Sequence, residues 1–88
     1  MSSSARKNKS ERSYPAITGL RVGKDTITAV LDDGREVSIP IAWSERLSDA
    51  TRQQLKDFEI DSFGYGIHWE AVDEDISVKA FLDGWDGL

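Results

Sequence analysis

The side chains that could do acid–base or metal chemistry collect in the last third of the chain. His68 and Glu70 are separated by one residue, and the acidic run Asp73-Glu74-Asp75 follows them. Residues two apart on a strand point to the same face, so His68 and Glu70 form a candidate acid–base pair. This pattern allows a small-ligand-binding or enzymatic domain that uses His68, Glu70 and the Asp73–Asp75 loop.

These groups also have a structural interpretation, which we favour. Strand alternation alone would place His68 beside Glu70, and no positioned nucleophile accompanies them. A calcium loop read from Asp73 would put Val78 where glycine is needed and Gly84 where the bidentate glutamate belongs. A single histidine excludes a histidine-rich metal site. We therefore predict no enzyme activity, no catalytic residue, no metal and no cofactor.

Other chemical motifs are missing from the sequence. Gly64-x-Gly66 lacks the third glycine of a dinucleotide fingerprint and does not run into a helix, so we predict a turn there. No phosphate-binding loop and no nucleophile elbow occur. The chain has no cysteine, so it has neither disulfides nor a thiolate metal site.

Charge is unevenly distributed along the 88 residues, whose net charge is −5. Residues 1–12 carry four basic side chains and one acidic side chain, and the rest of the chain carries 7 basic and 15 acidic ones. An acidic body repels phosphates, which argues against nucleic acid as a partner. No apolar stretch approaches the roughly 20 residues that span a bilayer. We expect a cytoplasmic protein without a membrane partner.

Hydrophobic patterning predicts one small α+β domain over residues 14–84, between a disordered basic tail (1–13) and a short C-terminal tail (85–88). An antiparallel three-stranded meander is predicted from strands at Ile17–Val22, Thr26–Leu31 and 36–39. Asp33-Gly34 favours the tight hairpin turn between the last two strands. In the first strand, alternation places Ile17 opposite the face of Leu20 and Val22.

Two short helices are expected next, over 41–47 and from the capping box of Thr51 and Gln54 to about residue 57. A second β-hairpin then starts at residues 58–60 and returns over 67–70. The acidic run forms a loop at the positive end of a C-terminal helix that Ser77 or Asp75 caps. Gly84 is placed to end that helix.

Three tryptophans are many for so small a domain. Tryptophan anchors both cores and interfaces. We expect Trp43 and Trp69 in the core and Trp85 partly exposed. The candidate interaction residues are Trp85, His68, Glu70, Asp73, Glu74 and Asp75.

Several short motifs follow one another along the chain. They are Asp33-Gly34-Arg35-Glu36-Val37, Pro40-x-x-Trp43-x-x-x-Leu47, Ala50-Thr51, Gly66-Ile67-His68-Trp69-Glu70, Asp73-Glu74-Asp75-Ile76-Ser77-Val78 and Leu82-x-Gly84. Taken in this order, they resemble a small bacterial family known as domain of unknown function 2442. The resemblance covers about residues 17 to 84.

The resemblance implies a compact α+β domain with no established activity and no agreed catalytic residues. Some relatives carry a helix-turn-helix domain after this one, and relatives are often encoded beside another small protein, in pairs suggested to be toxin–antitoxin systems. We therefore expect an acidic protein-interaction domain, antitoxin-like in its sharper form, that binds a small basic neighbouring protein or itself.

Overall fold

The computed structural model describes residues 14–84, so the predictions for 1–13 and 85–88, including Trp85, lie outside the described residues. The described part has two three-stranded antiparallel sheets and short helices, which confirms the predicted α+β class. The first sheet contains β1 (Ile17–Val22), β2 (Thr26–Leu31) and β3 (Glu36–Pro40) in that order. The second contains β4 (Glu59–Ile60), β5 (Gly66–Trp69) and β6 (Glu74–Ser77). The helices are α1 (Glu45–Ser48), α2 (Arg52–Lys56) and α3 (Val78–Asp83).

Strand β1 contains a bulge that changes which side chains face the core. Ile17 pairs with Leu31, but Gly19 pairs with the adjacent Val30, so Thr18 is an extra residue in β1. An extra residue shifts the alternation of side chains by one position. Ile17 is therefore buried on the core side together with Leu20, and the prediction that these two residues lie on opposite faces was wrong.

The predicted helix over 41–47 is divided into two pieces. A 3₁₀ turn covers Ile41–Trp43, and Ser44 has extended backbone before α1 begins. The Ser44 hydroxyl accepts a hydrogen bond from the Leu47 backbone N–H, and this N-cap requires the extended backbone. The break leaves Trp43 45% exposed while Leu47 is 1% exposed, so the prediction of a core Trp43 was wrong.

Helix α2 has the predicted capping box, in which Thr51 and Gln54 each bond the other's backbone N–H. The helix presents Leu55 to the core, and the Leu55 carbonyl accepts a 3.0 Å hydrogen bond from the Trp69 indole N–H. The Trp69 ring is fully buried, and the Phe58 ring lies tilted against it at 6.4 Å. Trp69 is thus the predicted core tryptophan, with its polar atom satisfied.

Buried side chains from both sheets and from the helical segments form one hydrophobic cluster. Its members are Ile17, Ile27, Ala29, Leu31, Ile39, Ile41, Leu47, Leu55, Ile67, Trp69, Ile76, Val78 and Phe81. Because the inner face of the second sheet contributes to this core, its outer face is left to carry polar groups. No helix within residues 14–84 has the length and apolar character needed to cross a membrane.

Candidate functional site

The register of the second sheet brings distant charged residues into one row. Strand β5 turns Ile67 and Trp69 toward the core, so His68 points to the outer face. His68 pairs with Glu59 on β4 and with Asp75 on β6. The row Glu59–His68–Asp75 therefore crosses the outer face of the sheet.

His68 lies between two carboxylates. Its Nδ1 is 2.7 Å from Asp75 Oδ1, and its Nε2 is 2.9 Å from Glu70 Oε1. The structure thus brings the predicted pair of His68 and Glu70 together with Asp75, one of the three acids of the predicted Asp73–Asp75 loop. The hydrogen bond to Glu70 and then that to Asp75 raise the pKa of His68 above its ordinary value.

This geometry favours a positively charged imidazole. A neutral imidazole has one N–H and can donate to only one of the two carboxylates, whereas imidazolium donates to both. A general base needs a ring nitrogen with a free lone pair near the proton that it removes. With Glu70 and Asp75 at its two nitrogens, His68 is better arranged to link β5, β6 and the turn after β5 than to act as a base.

We expect the raised pKa to be measurable directly. His68 is the only histidine in the chain, so its ring protons give unambiguous NMR signals. The folded protein should titrate above the reference value of about 6.5. Asp75→Asn should move the pKa of His68 back toward that reference, because it removes one of the two anionic acceptors. An Asp25→Asn control, at an exposed site outside the second sheet, should leave the titration unchanged.

The raised pKa of His68 also determines whether the free energy of unfolding rises or falls with pH. A raised folded-state pKa stabilises the fold fully below about pH 6.5, where both states are protonated. This contribution falls as the pH rises through the folded-state pKa of His68. Urea unfolding should therefore show a free energy of unfolding that decreases over this window, and His68→Gln should remove that decrease. A free energy that rises with pH there would contradict the assignment.

The acidic run does not form the single predicted loop, because β6 separates its members. Asp73 has left-handed backbone (φ 55°), and Arg46 donates a hydrogen bond to its carbonyl. Glu74 begins β6 on the side opposite Asp75: its Oε2 accepts a 2.5 Å hydrogen bond from the buried Ser44 hydroxyl. Only Asp75 joins the outer row, because successive strand residues point to opposite faces.

The C-terminal helix is capped by Ser77. Its hydroxyl accepts a 3.3 Å hydrogen bond from the Ala80 N–H, so of the two predicted caps, Ser77 and Asp75, the first is used. Gly84 follows the helix with φ 102°, as predicted for a helix-ending glycine.

Asp61 belongs to the site, although its part was not recognised from the sequence. Its Oδ1 accepts hydrogen bonds from the backbone N–H groups of Phe63 (2.7 Å) and Tyr65 (3.2 Å). Burial would raise the pKa of Asp61, but these bonds and those from Gly64 and Gly66 outweigh it, so the pKa lies below its usual value. Asp61 is therefore a fixed, ionised carboxylate.

A groove of about 250 Å³ lies on the outer face, between β4 and β6. Its floor contains Gly66, which has no side chain to fill the space. Asp61 borders it on one side, Asp75 and Ser77 on the other, and His68 also lines it. The sequence signal for this groove was the outward position of Gly66, which becomes informative only with the strand register.

The turn between β4 and β5 displays two aromatic rings that were also missed. Phe63 is 72% exposed and Tyr65 is 49% exposed, and their rings stack at 5.8 Å. The available signal was the Asp61-Ser62-Phe63-Gly64 sequence, a turn pattern that places a large apolar residue at a turn position.

We use the name acidic face for the outer surface formed by Glu59, Asp61, His68, Glu70 and Asp75. It holds four carboxylates and one imidazole. Within residues 14–84, the lysine and arginine ion pairs all go to other acids, namely Asp33, Glu36, Asp73 and Asp83. No group of three or more His, Asp or Glu side chains in this part of the chain is arranged to hold a metal ion.

Two solved structures are similar to this chain. One is the solution NMR structure of an uncharacterised protein from Chromobacterium violaceum, with 26% identity, a TM-score of 0.75, and coverage of 99% of this chain and 82% of that one. The other is the crystal structure of a protein of unknown function from Rhodospirillum rubrum, with 28% identity, a TM-score of 0.70, and coverage of 78% and 86% respectively. No curated protein matches the chain. A family model described as "Protein of unknown function (DUF2442)" matches residues 17–87, so the chain belongs to that family.

Proposed function

We propose that this domain binds another protein through the acidic face and that the partner presents a basic surface. The observation that carries the proposal is the row Glu59–His68–Asp75 across the outer side of the second sheet. Charged groups there have no role in the core. Complementary charge on a partner would raise the rate of association and select against acidic competitors.

The composition of the face favours protein over nucleic acid. Four carboxylates against one imidazolium leave the face at about −3 when His68 is charged, and such a surface repels phosphates. Lysine and arginine side chains are its natural complement, since carboxylates accept their charge-assisted hydrogen bonds.

The sharper form of the proposal is antitoxin-like neutralisation of a small basic neighbouring protein, as the family resemblance implies. Binding to itself is the other form. A symmetric dimer through the acidic face would place like charges opposite each other. A second copy would therefore have to offer a different surface, and the basic residues 1–12 are the sequence's best candidate.

The proposal predicts strong salt dependence for a defined cationic probe. A lysine- and arginine-rich peptide should bind at low ionic strength and weaken as salt rises, because exposed charges are screened. Glu59→Gln combined with Asp75→Asn should weaken binding by roughly tenfold or more, as isothermal calorimetry would measure.

The matched control is Asp25→Asn combined with Glu36→Gln, which removes the same charge from exposed positions of the first sheet and its hairpin. It should retain most of the affinity. Equal weakening by both pairs would mean that the peptide senses only net charge, and the acidic face would lose its special role.

A second candidate function is a small-ligand-binding or enzymatic domain that uses His68, Glu70 and the Asp73–Asp75 segment. The convergence of His68, Glu70 and Asp75 beside a groove favours it. The separation of Asp73 and Glu74 from that point weighs against it. The His68 titration discriminates: a pKa at or below about 6.5 would leave a neutral ring at neutral pH and support this candidate.

A further inference from the structure

The groove on the acidic face owes its shape to one missing side chain. Gly66 occupies the outward position at the start of β5, opposite Ser77 on β6. A Cβ built there would lie 3.3 Å from the Ile76 carbonyl oxygen and 3.7 Å from Asp61 Oδ2. The floor of the groove is therefore flat backbone, with a carboxylate oxygen beside it.

The two carboxylates that border the groove are already held in place. The turn N–H groups of Phe63 and Tyr65 fix Asp61 through its Oδ1, while His68 holds Asp75 Oδ1 at 2.7 Å. A cation that enters the groove would thus meet oriented acceptors on both sides. Preorganised acceptors reduce the entropy lost on binding.

A guanidinium fits these features better than an ammonium does. It is planar, so it can lie against the backbone at Gly66, and it has donors on several edges for carboxylates on two sides. An ammonium is a compact, strongly hydrated point charge that gains less from a flat floor. A phosphate or carboxylate ligand would be repelled by both walls.

We propose that the groove over Gly66 receives an arginine side chain, with its guanidinium between Asp61 and Asp75. The inference rests on the proposed function, since it names the side chain by which a basic partner engages the acidic face. His68 borders the same groove, so its positive charge opposes the guanidinium. Affinity should rise as the pH increases through the titration of His68.

The test uses N-acetyl-arginine methylamide as the probe and N-acetyl-citrulline methylamide as its uncharged analogue. Amide chemical shifts of the ¹⁵N-labelled full chain are followed during titration with each. We expect the arginine probe to shift the signals of Gly66, Ile67 and Ser77 and the citrulline probe to leave them unmoved. Gly66→Val, which fills the groove and keeps every carboxylate, should abolish the shifts. Should Gly66→Val fail to give a dispersed folded spectrum, Gly66→Ala, a smaller change, should weaken binding at least several-fold.

Two results would overturn the inference. One is an unchanged arginine titration in the folded Gly66 variant, and the other is an equal response to citrulline. The outcome is separable from the proposed function. The cationic peptide could bind Gly66→Val normally but lose affinity for the Glu59→Gln, Asp75→Asn variant. That result would support binding by the acidic face and contradict the arginine site in the groove. If neither variant changes the affinity for the cationic peptide, the proposed function itself is wrong.

Discussion

Trp69→Ala should destabilise the domain by about 3–5 kcal/mol, the usual cost of removing a buried tryptophan. The ring is fully buried, packs against Phe58 and donates its indole N–H to the Leu55 carbonyl. Small domains are stable by only about 5–15 kcal/mol, so the variant should be partly or wholly unfolded. Urea unfolding followed by circular dichroism measures the loss.

Trp43→Ala is the matched control for this prediction. It makes the same chemical change at a position that is 45% exposed, and we expect it to cost about 1 kcal/mol or less. Equal losses for the two variants would mean that the break at Ser44 does not separate Trp43 from the core as described.

Gly64→Ala should also destabilise the domain strongly. Gly64 has φ +75°, where a side chain costs about 1–2 kcal/mol. Its Cβ would also lie 2.7 Å from the Ala16 Cβ and 2.9 Å from both the nitrogen and the oxygen of Ile17. Overpacking against atoms that cannot move adds about 1–3 kcal/mol. The substitution should also separate β1 from the β4–β5 turn, because the Ile17 N–H donates to the Gly64 carbonyl at 2.8 Å.

Gly34→Ala separates the two contributions. Gly34 also has positive φ, at +96°, but apart from Gly34 itself and its two neighbours in the chain, no residue has an atom within 4 Å of its Cβ position. It should cost only the conformational term of about 1–2 kcal/mol. Thermal unfolding of the two variants gives the comparison. A Gly64→Ala variant as stable as Gly34→Ala would show that β1 can move away from the added methyl group at little cost.

The local parts of the fold were predictable because short-range chemistry decides them. Asp33-Gly34 correctly marked the hairpin, but not as a primed turn: Asp33 lacks positive φ, the Gly34 N–H donates to the Leu31 carbonyl, and Gly34 itself has φ 96°. The Thr51 and Gln54 capping box needs only four residues. Alternation in β5 correctly placed Trp69 inside and His68 outside, since one buried face is enough to set the pattern.

The errors share a cause, which is that non-local contacts changed a local pattern. The bulge at Thr18 places Ile17 in the core, and the sequence of residues 17–22 alone does not predict that bulge. Ser44 breaks the helix because its hydroxyl both caps Leu47 and reaches Glu74, 30 residues away in sequence.

The site shows the same limit of local reasoning. His68 and Glu70 were paired from their spacing, but Glu59 and Asp75 join them only through the strand register. The acidic run looked like one cluster because three carboxylates are adjacent in sequence. Once residues 74–77 form a strand, alternation sends Glu74 toward Ser44 and Asp75 toward His68.

The role that we propose for the acidic face is recognition of a basic protein. Affinity capture from the native host tests this role with three baits: the wild-type chain, Glu59→Gln with Asp75→Asn, and the Asp25→Asn with Glu36→Gln control. We predict that wild type and the control retain the same basic protein and that the acidic-face variant loses it while remaining folded. Retention of that protein by the folded acidic-face variant at wild-type level would show that the acidic face does not recognise it.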